Sequence, residues 1–344
     1  MNPFVSVIIV NYNGMDFVDE TLSSVLASGY HDFELIFVDN ASIDGSDEYV
    51  RKRFGHDHRL KIIRNNGAFG PAKARNIGAR SARGKYLIFF DNDTRIDKDC
   101  IQILVHALEN DNTIGSGQAK LLRMGTDRAY DCAGDYLGPL GFLIERSKGA
   151  KDTGQFDYIA DILSAKSAAS IIRRELFEKI GGFDADYYMY LEETDLSWRV
   201  WLAGYRVVFL PQAVVYHAFN TSKKSLKRHY TKYWVRYYGS RNYISTLIKN
   251  LQFKNLIVFL PLHVFSWLAM AALFLLKGAF DDFFYILKGI FWNALNIDVL
   301  IAKHRYINEN IRKLDDNMIL DRIKSKDAAG DYLRKIYLYI KAGL

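Results

Sequence analysis

Short apolar runs recur along the first part of the chain, at residues 4–11, 33–38, 60–64 and 85–90, and each gives way abruptly to polar residues. Runs this short, with little polar alternation, predict strands buried on both faces. Between them the apolar positions are spaced as on a helix. Phe17, Val18, Leu22, Val25 and Leu26 share one face of a helix over 17–27, a second helical stretch starts at Ser46, and a third is predicted over 72–82 with Gly84 stopping it. Residues 65–71 carry turn chemistry, Asn-Asn-Gly and then Gly-Pro. Strands alternating with helices imply parallel pairing through right-handed crossovers. The predicted fold class is α/β, a Rossmann-like, mostly parallel sheet flanked by helices.

The run at 85–90 leads straight into Asp91 and Asp93, with Asn92 between them. Carboxylates do not enter a core without partners, so the pair belongs at the C-terminal end of the strand, where open α/β sheets bind ligands. Two hard oxygen donors at a strand end suit a divalent cation that also touches a phosphate. The competing reading makes one of them the cap of a helix near residues 98–109. The earlier strands end in the same way, with Asn11, Tyr12 and Asn13 after the first and Asp39 and Asn40 after the second. A single strand ending in Asp is commonplace, whereas three polar ends on one rim mark a site.

Glycines at 125, 134, 138, 141, 149 and 154 break up residues 118–158, predicted to form short strands and loops at the far edge of the sheet. An apolar run over 165–172 precedes a short helix over 174–180, stopped by Gly181 and Gly182. An aromatic segment then meets Glu192, Glu193 and Asp195, which open a helix running to about residue 203. The helix dipole favours acids in a first turn, but an acidic cluster directly after aromatic residues also suits a pocket wall. Strand-like residues 207–210 and 213–216 end at His217.

The last third changes character. Residues 255–276 are 22 positions without a formal charge, interrupted only by Pro261 and His263 as weaker membrane residues; about 20 apolar residues span a bilayer. A second apolar stretch over 283–302, with Lys288, Asn293 and Asp298, is predicted to pair with the first as a hairpin around Asp281 and Asp282 or to lie flat in an interface. Residues 221–254 carry nine Lys or Arg and no acid, interleaved with Tyr230, Tyr233, Trp234, Tyr237, Tyr238 and Tyr243. That mixture predicts contact with the cytoplasmic face of a membrane, and the adjoining hydrophobic run argues against nucleic acid. A buried helical pair or an interface between copies of the chain is the bland alternative. Residues 303–344 read as polar, amphipathic helices, and the chain divides at about residue 222.

Composition supports this picture. The 344 residues are 49% hydrophobic and 25% charged, as in a globular domain with an appendage. The net charge of +7 is spread unevenly, with the acid-free basic block at 221–254. Cys100 and Cys132 form neither a disulfide framework nor a metal spacing, consistent with a reducing compartment. The strand-like start shows no secretory-signal pattern.

VSVIIVNYNG at 5–14, VDNAS at 38–42, the stretch 65–94 closing on YLIFFDNDT, and GGFDADYYMYLEETDLSWR at 181–199 follow one another in order. Together they resemble the family 2 glycosyltransferases, the inverting GT-A enzymes, and within them the rhamnosyltransferase-like group, over about residues 4–220. The resemblance implies a GT-A domain over 1–222 and a helical, membrane-associated region over 223–344. It implies metal-dependent transfer of a sugar, rhamnose among the candidates, from a dTDP- or UDP-linked donor to a lipid-linked or cell-surface glycan acceptor. The nucleotide-sugar site would then be lined by Asn11, Tyr12, Asn13, Asp39, Asn40, Arg75, Asn76, Asp91, Asn92 and Asp93, with Asp39 accepting from the nucleobase imide N–H. Asp91, Asp93 and His217 would hold Mn²⁺ or Mg²⁺. Glu193, or its neighbour Glu192, would be the general base; the family often has Glu-Asp at this pair. Two rivals fare worse. A sugar nucleotidyltransferase wants a Gly-rich, Lys/Arg-bearing phosphate loop after the first strand, which Tyr12-Asn13-Gly14 is not. A catalytically inactive membrane-docking scaffold has no need of Asp91, Asp93 and Glu193.

Overall fold

The structure, a computed structural model, describes residues 4–147, 149–218 and 234–323. Its first part alternates strand and helix as the apolar pattern predicts: β1 (Val5–Asn11), α1 (Val18–Leu26), β2 (Phe33–Asp39), α2 (Ser46–Phe54), β3 (Leu60–Arg64), α3 (Pro71–Arg80), β4 (Tyr86–Asp91), β5 (Thr94–Ile96) and α4 (Cys100–Asn110). There follow β6 (Ile114–Arg123), β7 (Tyr130–Cys132), β8 (Asp135–Leu137), β9 (Leu143–Glu145), β10 (Ala160–Asp161), β11 (Ala169–Arg173), α5 (Arg174–Lys179), α6 (Glu192–Leu202) and β12 (Arg206–His217).

β1 pairs in parallel with β2 and β4, and β2 with β3. The sheet continues through antiparallel β11 to β6 and β12, in the order β10-β12-β6-β11-β4-β1-β2-β3. Successive side chains of a strand point to opposite faces, and both faces are covered. Val7, Ile9, Ile88 and Phe90 meet α1, α2 and α4 on one side. Ile8, Leu87 and Phe89 meet α3, α5 and α6 on the other, where Trp198 and Trp201 are buried. Burying such side chains is worth about 1.5–3 kcal/mol each, which is why the runs contain so few polar residues.

Four expectations are corrected. β6 begins at Ile114 and lies inside the sheet between β11 and β12, not at its edge. Its polar Ser116 and Gln118 are buried but satisfied, Ser116 donating to the Ile171 carbonyl at 2.8 Å and Gln118 accepting from the Lys166 amide at 2.9 Å, so the strand carries no apolar signature there. Gly84 does not stop α3, which ends at Ser81. It lets the chain pass β1, since a Cβ there would sit 2.4 Å from the Ser6 nitrogen. Neither Asp91 nor Asp93 caps α4, whose N-cap is Asp99. The apolar hairpin does not turn at Asp281 and Asp282.

The C-terminal part begins with a π-helical turn (Trp234–Tyr238) and continues through α7 (Gly239–Asn250), α8 (Phe253–Leu276), α9 (Phe280–Leu295), α10 (Ile297–Tyr306), a second π-helical turn (Ile307–Ile311) and α11 (Asp316–Ile323). α8 turns back through residues 277–279 and packs on α9. Asp282 is inside α9, buried, and accepts from Arg236 Nε at 2.7 Å. The basic and aromatic residues 221–233 and the tail 324–344 lie outside the described residues. Within the described remainder of the basic stretch, Arg236, Tyr237, Arg241 and Lys249 are buried rather than spread over a surface.

Gly84→Ala tests the close passage of β1. The new Cβ meets backbone that cannot swing aside, so overpacking is expected to cost about 1–3 kcal/mol. An unchanged denaturant midpoint would contradict it.

Candidate functional site

The parallel register brings the polar strand ends together: Asn11 is opposite Asp39 and Val10 opposite Asp91. Asn11 ties the rim. Its fully buried amide donates to Asp39 Oδ1, Ser42 Oγ and Ser46 Oγ at 3.2, 3.1 and 2.8 Å, and its oxygen accepts from Asn92 Nδ2 at 2.7 Å. Asn40 fixes the 65–69 loop, donating to the Phe69 carbonyl at 2.6 Å and accepting from Asn65 and the Phe69 amide. Asn13 adopts φ 53° and accepts from the Ile43 amide, while Tyr12 stays 41% exposed at the mouth. Asp39 is buried, and its Oδ2 accepts from the Ser42 amide at 3.2 Å.

β5 is short because its task is local: it pairs antiparallel with β12, placing His217 opposite Thr94. His217 Nε2 therefore lies 3.2 Å from Asp93 Oδ1, and its Nδ1 lies 2.9 Å from Asp131 Oδ2. One ligand atom each of Asp91, Asp93 and His217 lies within 4.8 Å of the others. Burial opposes charge on this imidazole, but hydrogen bonds to Asp131 and Asp93 prevail and push His217 up to about 10. Two carboxylates and an imidazole form a donor set suited to Mn²⁺ or Mg²⁺. Asp131 on Nδ1 orients the ring, as an outer carboxylate does for a metal-binding histidine. The donor set thus fits a divalent cation.

The opposite wall is strained. Tyr188, Tyr190 and Leu191 have φ of 60°, 65° and 67° just before α6, a conformation that persists only where surroundings impose it. Asn242 of α7 does so, its amide donating to the carbonyls of Tyr187, Met189 and Tyr190 at 3.1, 2.7 and 2.9 Å. Gly70 lets the loop before α3 touch this segment; a Cβ would lie 2.2 Å from the Tyr188 carbonyl oxygen.

Arg75 joins the two walls. It is buried, and donates to Asp91 at 2.8 Å through Nη2 and to Glu192 at 2.9 Å through Nη1. Burial, then the neighbouring Glu193 charge, push the Glu192 carboxyl up to about 8 against the pull of Arg75. Its second oxygen is buried without a hydrogen-bond partner. Glu193 is more open, with Lys166 Nζ 3.8 Å away; Lys166 itself pairs with buried Asp135 at 2.9 Å. Asn76 is not turned to the rim: its amide donates to the Phe183 carbonyl and accepts from the Phe183 amide. Asp131 and Lys166 were not foreseen. Lys166 left a trace, a lone cation in an apolar run; Asp131, in a glycine-broken stretch, left none.

The family described as Glycosyl transferase family 2 matches residues 6–181. A putative teichuronic acid biosynthesis glycosyltransferase of Bacillus subtilis is 34% identical over 100 residues, 29% of this chain and 40% of that protein. A poly-β-1,6-N-acetyl-D-glucosamine synthase of Staphylococcus aureus is 25% identical over 213 residues, 61% of this chain and 48% of that one. The matched stretch thus spans less than half the length of these curated relatives. Among solved structures, S. aureus TarS 1–349 with UDP-GlcNAc has TM-score 0.58 at 17% identity, covering 89% of this chain and 88% of that one. The Pyrobaculum calidifontis mannosyltransferase PcManGT, with GDP-Man and Mn²⁺, has TM-score 0.54 at 19% identity, covering 90% and 88%. Both structural likenesses concern the fold, which is GT-A.

The raised Glu192 value has a consequence for stability. The folded-state value, about 8, exceeds the ordinary 4.5, so the protonated carboxyl stabilises the fold; that contribution is complete below pH 4.5 and lost as pH rises through about 8. Glu192→Gln stays neutral throughout. Wild type should therefore lose stability relative to Glu192→Gln across this window, read from denaturant midpoints at its two ends. Parallel pH profiles would contradict a raised value.

Proposed function

The chain belongs to glycosyl transferase family 2, and on that premise we propose that it is an inverting, metal-dependent enzyme. It would move a sugar from a dTDP- or UDP-linked donor to a lipid-linked or polysaccharide acceptor at the cytoplasmic face of a membrane. The observation that carries this reading is the convergence of Asp91, Asp93 and His217 past the end of β4, linked through Arg75 to the start of α6, where Glu193 stands. Relatives named for teichuronic acid and poly-N-acetylglucosamine synthesis support a glycan product, and neighbours solved with UDP-GlcNAc or with GDP-Man and Mn²⁺ support a nucleotide-sugar donor. Rhamnose, from the motif order, is the first sugar to test.

Asp39, at the base of the rim, accepts from the imide N–H of a uracil or thymine. Asp91, Asp93 and His217 would hold Mn²⁺ or Mg²⁺, which supplies positive charge against the departing nucleoside diphosphate. Inversion needs one in-line attack and hence one general base. Glu193 is that base: it takes the proton from the acceptor hydroxyl as the oxygen attacks the anomeric carbon. Glu192 is held by Arg75 and buried, out of the acceptor's reach. Lys166 steadies the Glu193 carboxylate. The exposed apolar helices near the C-terminus supply the membrane contact that a lipid-linked acceptor requires.

Release of nucleoside diphosphate from a panel of donors tests this reading. EDTA should abolish transfer and Mn²⁺ or Mg²⁺ restore it, with Asp93→Ala folded but inactive. Glu193→Gln should lose about 10²–10⁴ in turnover with donor affinity nearly unchanged. An inactive Glu192→Gln beside an active Glu193→Gln would reverse the assignment of the base.

A further inference from the structure

α8 and α9 present an apolar face that no element among the described residues covers. Apart from Lys254, every exposed position of α8 is apolar, including Ile257, Leu262, Leu273 and Phe265, the last 70% exposed. α9 adds Phe280, Phe284 and Phe291. A contiguous surface of this kind marks a contact with lipid or protein. The opposite stripe of α8, His263, Trp267, Ala271 and Phe274, is buried. Near the middle of the helix, His263 Nδ1 donates to the Leu140 carbonyl at 2.8 Å and Nε2 accepts from the Trp267 indole at 2.9 Å; an indole N–H only donates, so the tautomer is fixed. The Phe142 ring lies 4.1 Å from the His263 ring. Leu140 and Phe142 belong to the turn between β8 and β9, which is part of the transferase fold.

We infer that α8 lies in the plane of the membrane, apolar face toward the acyl chains, and does not cross it. This rests on the membrane reading above. The helix has 24 residues, about 36 Å of rise, so a transmembrane placement would put its midpoint at the bilayer centre. The irregular 138–142 turn seated on that midpoint would enter hydrocarbon that cannot hydrate its backbone, and the sheet attached to it would follow. α7, with buried Arg241, Lys249 and Asn250, packs on the same helix. Laid flat, α8 keeps the turn and α7 on the water side and its apolar face in the headgroup–acyl boundary. The partner is an anionic lipid surface rather than a second copy. Residues 221–233 hold five Lys or Arg and no acid, and they run directly into the π-helical turn that packs on α9. A basic block without acids offers a second copy of the chain only like charge, whereas anionic headgroups complement it.

The test uses full-length Val258→Cys, Phe265→Cys and Leu276→Cys, three exposed positions within about 20° of one another around the helix, each carrying a fluorophore and mixed with vesicles of two parts phosphatidylcholine to one part phosphatidylglycerol. The native cysteines are buried. Residues 258 and 276 lie on one face and are separated by about 27 Å of helix rise. In-plane binding predicts the same shallow depth for all three labels by lipid-borne quenchers, with none shielded behind the far leaflet. A depth gradient, deepest at 265, overturns the in-plane inference and leaves membrane association standing. No co-flotation with vesicles, or labels buried in a lipid-independent dimer, overturns both. The assay contains no donor, so failure of the donor-site reading does not affect it.

Discussion

One buried guanidinium holds the cleft together. Arg75 donates to Asp91 at the end of β4 and to Glu192 at the start of α6, residues that come from opposite walls. A buried cation is tolerable only with its charge matched and its N–H groups used; Asp91 supplies the counter-charge and Glu192 an acceptor oxygen, so Arg75 ties the two together. The group Asp91, Asp93 and His217 is thereby joined to the helix that begins with Glu192 and Glu193. Rigid placement of the reacting groups is what lets a transferase replace random encounter with a prepared geometry.

The helical C-terminal part takes part in that geometry. Asn242 holds the three carbonyls of the strained 187–190 segment, and Lys249 pairs with both Asp184 and Asp195 at 2.6 and 2.7 Å. Arg199 completes the set by a fork onto Asp195. The boundary near residue 222 is a boundary of composition, while α7 acts as a brace for the segment before α6 and for α6 itself. A seat on lipid at α8 would therefore communicate with the segment before α6 through α7, with which α8 is in contact. Removing α7 with α8 and α9 would release the loop before α6 as well.

Most of the polar rim was legible in the sequence, because parallel strands buried on both faces have to end in polar residues on one rim. Asp91 and Asp93 stand out from that pattern alone, and Glu192 and Glu193 as an acidic cluster, whereas a ligand role for His217 and a base role for Glu193 come only from the family resemblance. Arg75 was visible as a residue but not as a bridge, because Glu192 lies 117 positions away. Asp131 sits in a short strand without periodicity. β6 was misplaced because its buried polar residues disguise it. Arg236 and Lys249 resembled solvated charges, since their acidic partners Asp282 and Asp195 are distant in sequence. Local pattern reports which side chains leave water; it does not report which distant partner receives them.

Calorimetric titration of UDP and of dTDP into the full-length protein, with and without Mn²⁺, tests the central claim most directly. If the rim holds a cation against a nucleoside diphosphate, the two ligands share coupling of order 1–3 kcal/mol, about 5–150-fold in affinity. At least one of the nucleotides should then bind that much more tightly with the metal present. Equal affinity with and without Mn²⁺ for both nucleotides, or no binding of either, would contradict the account.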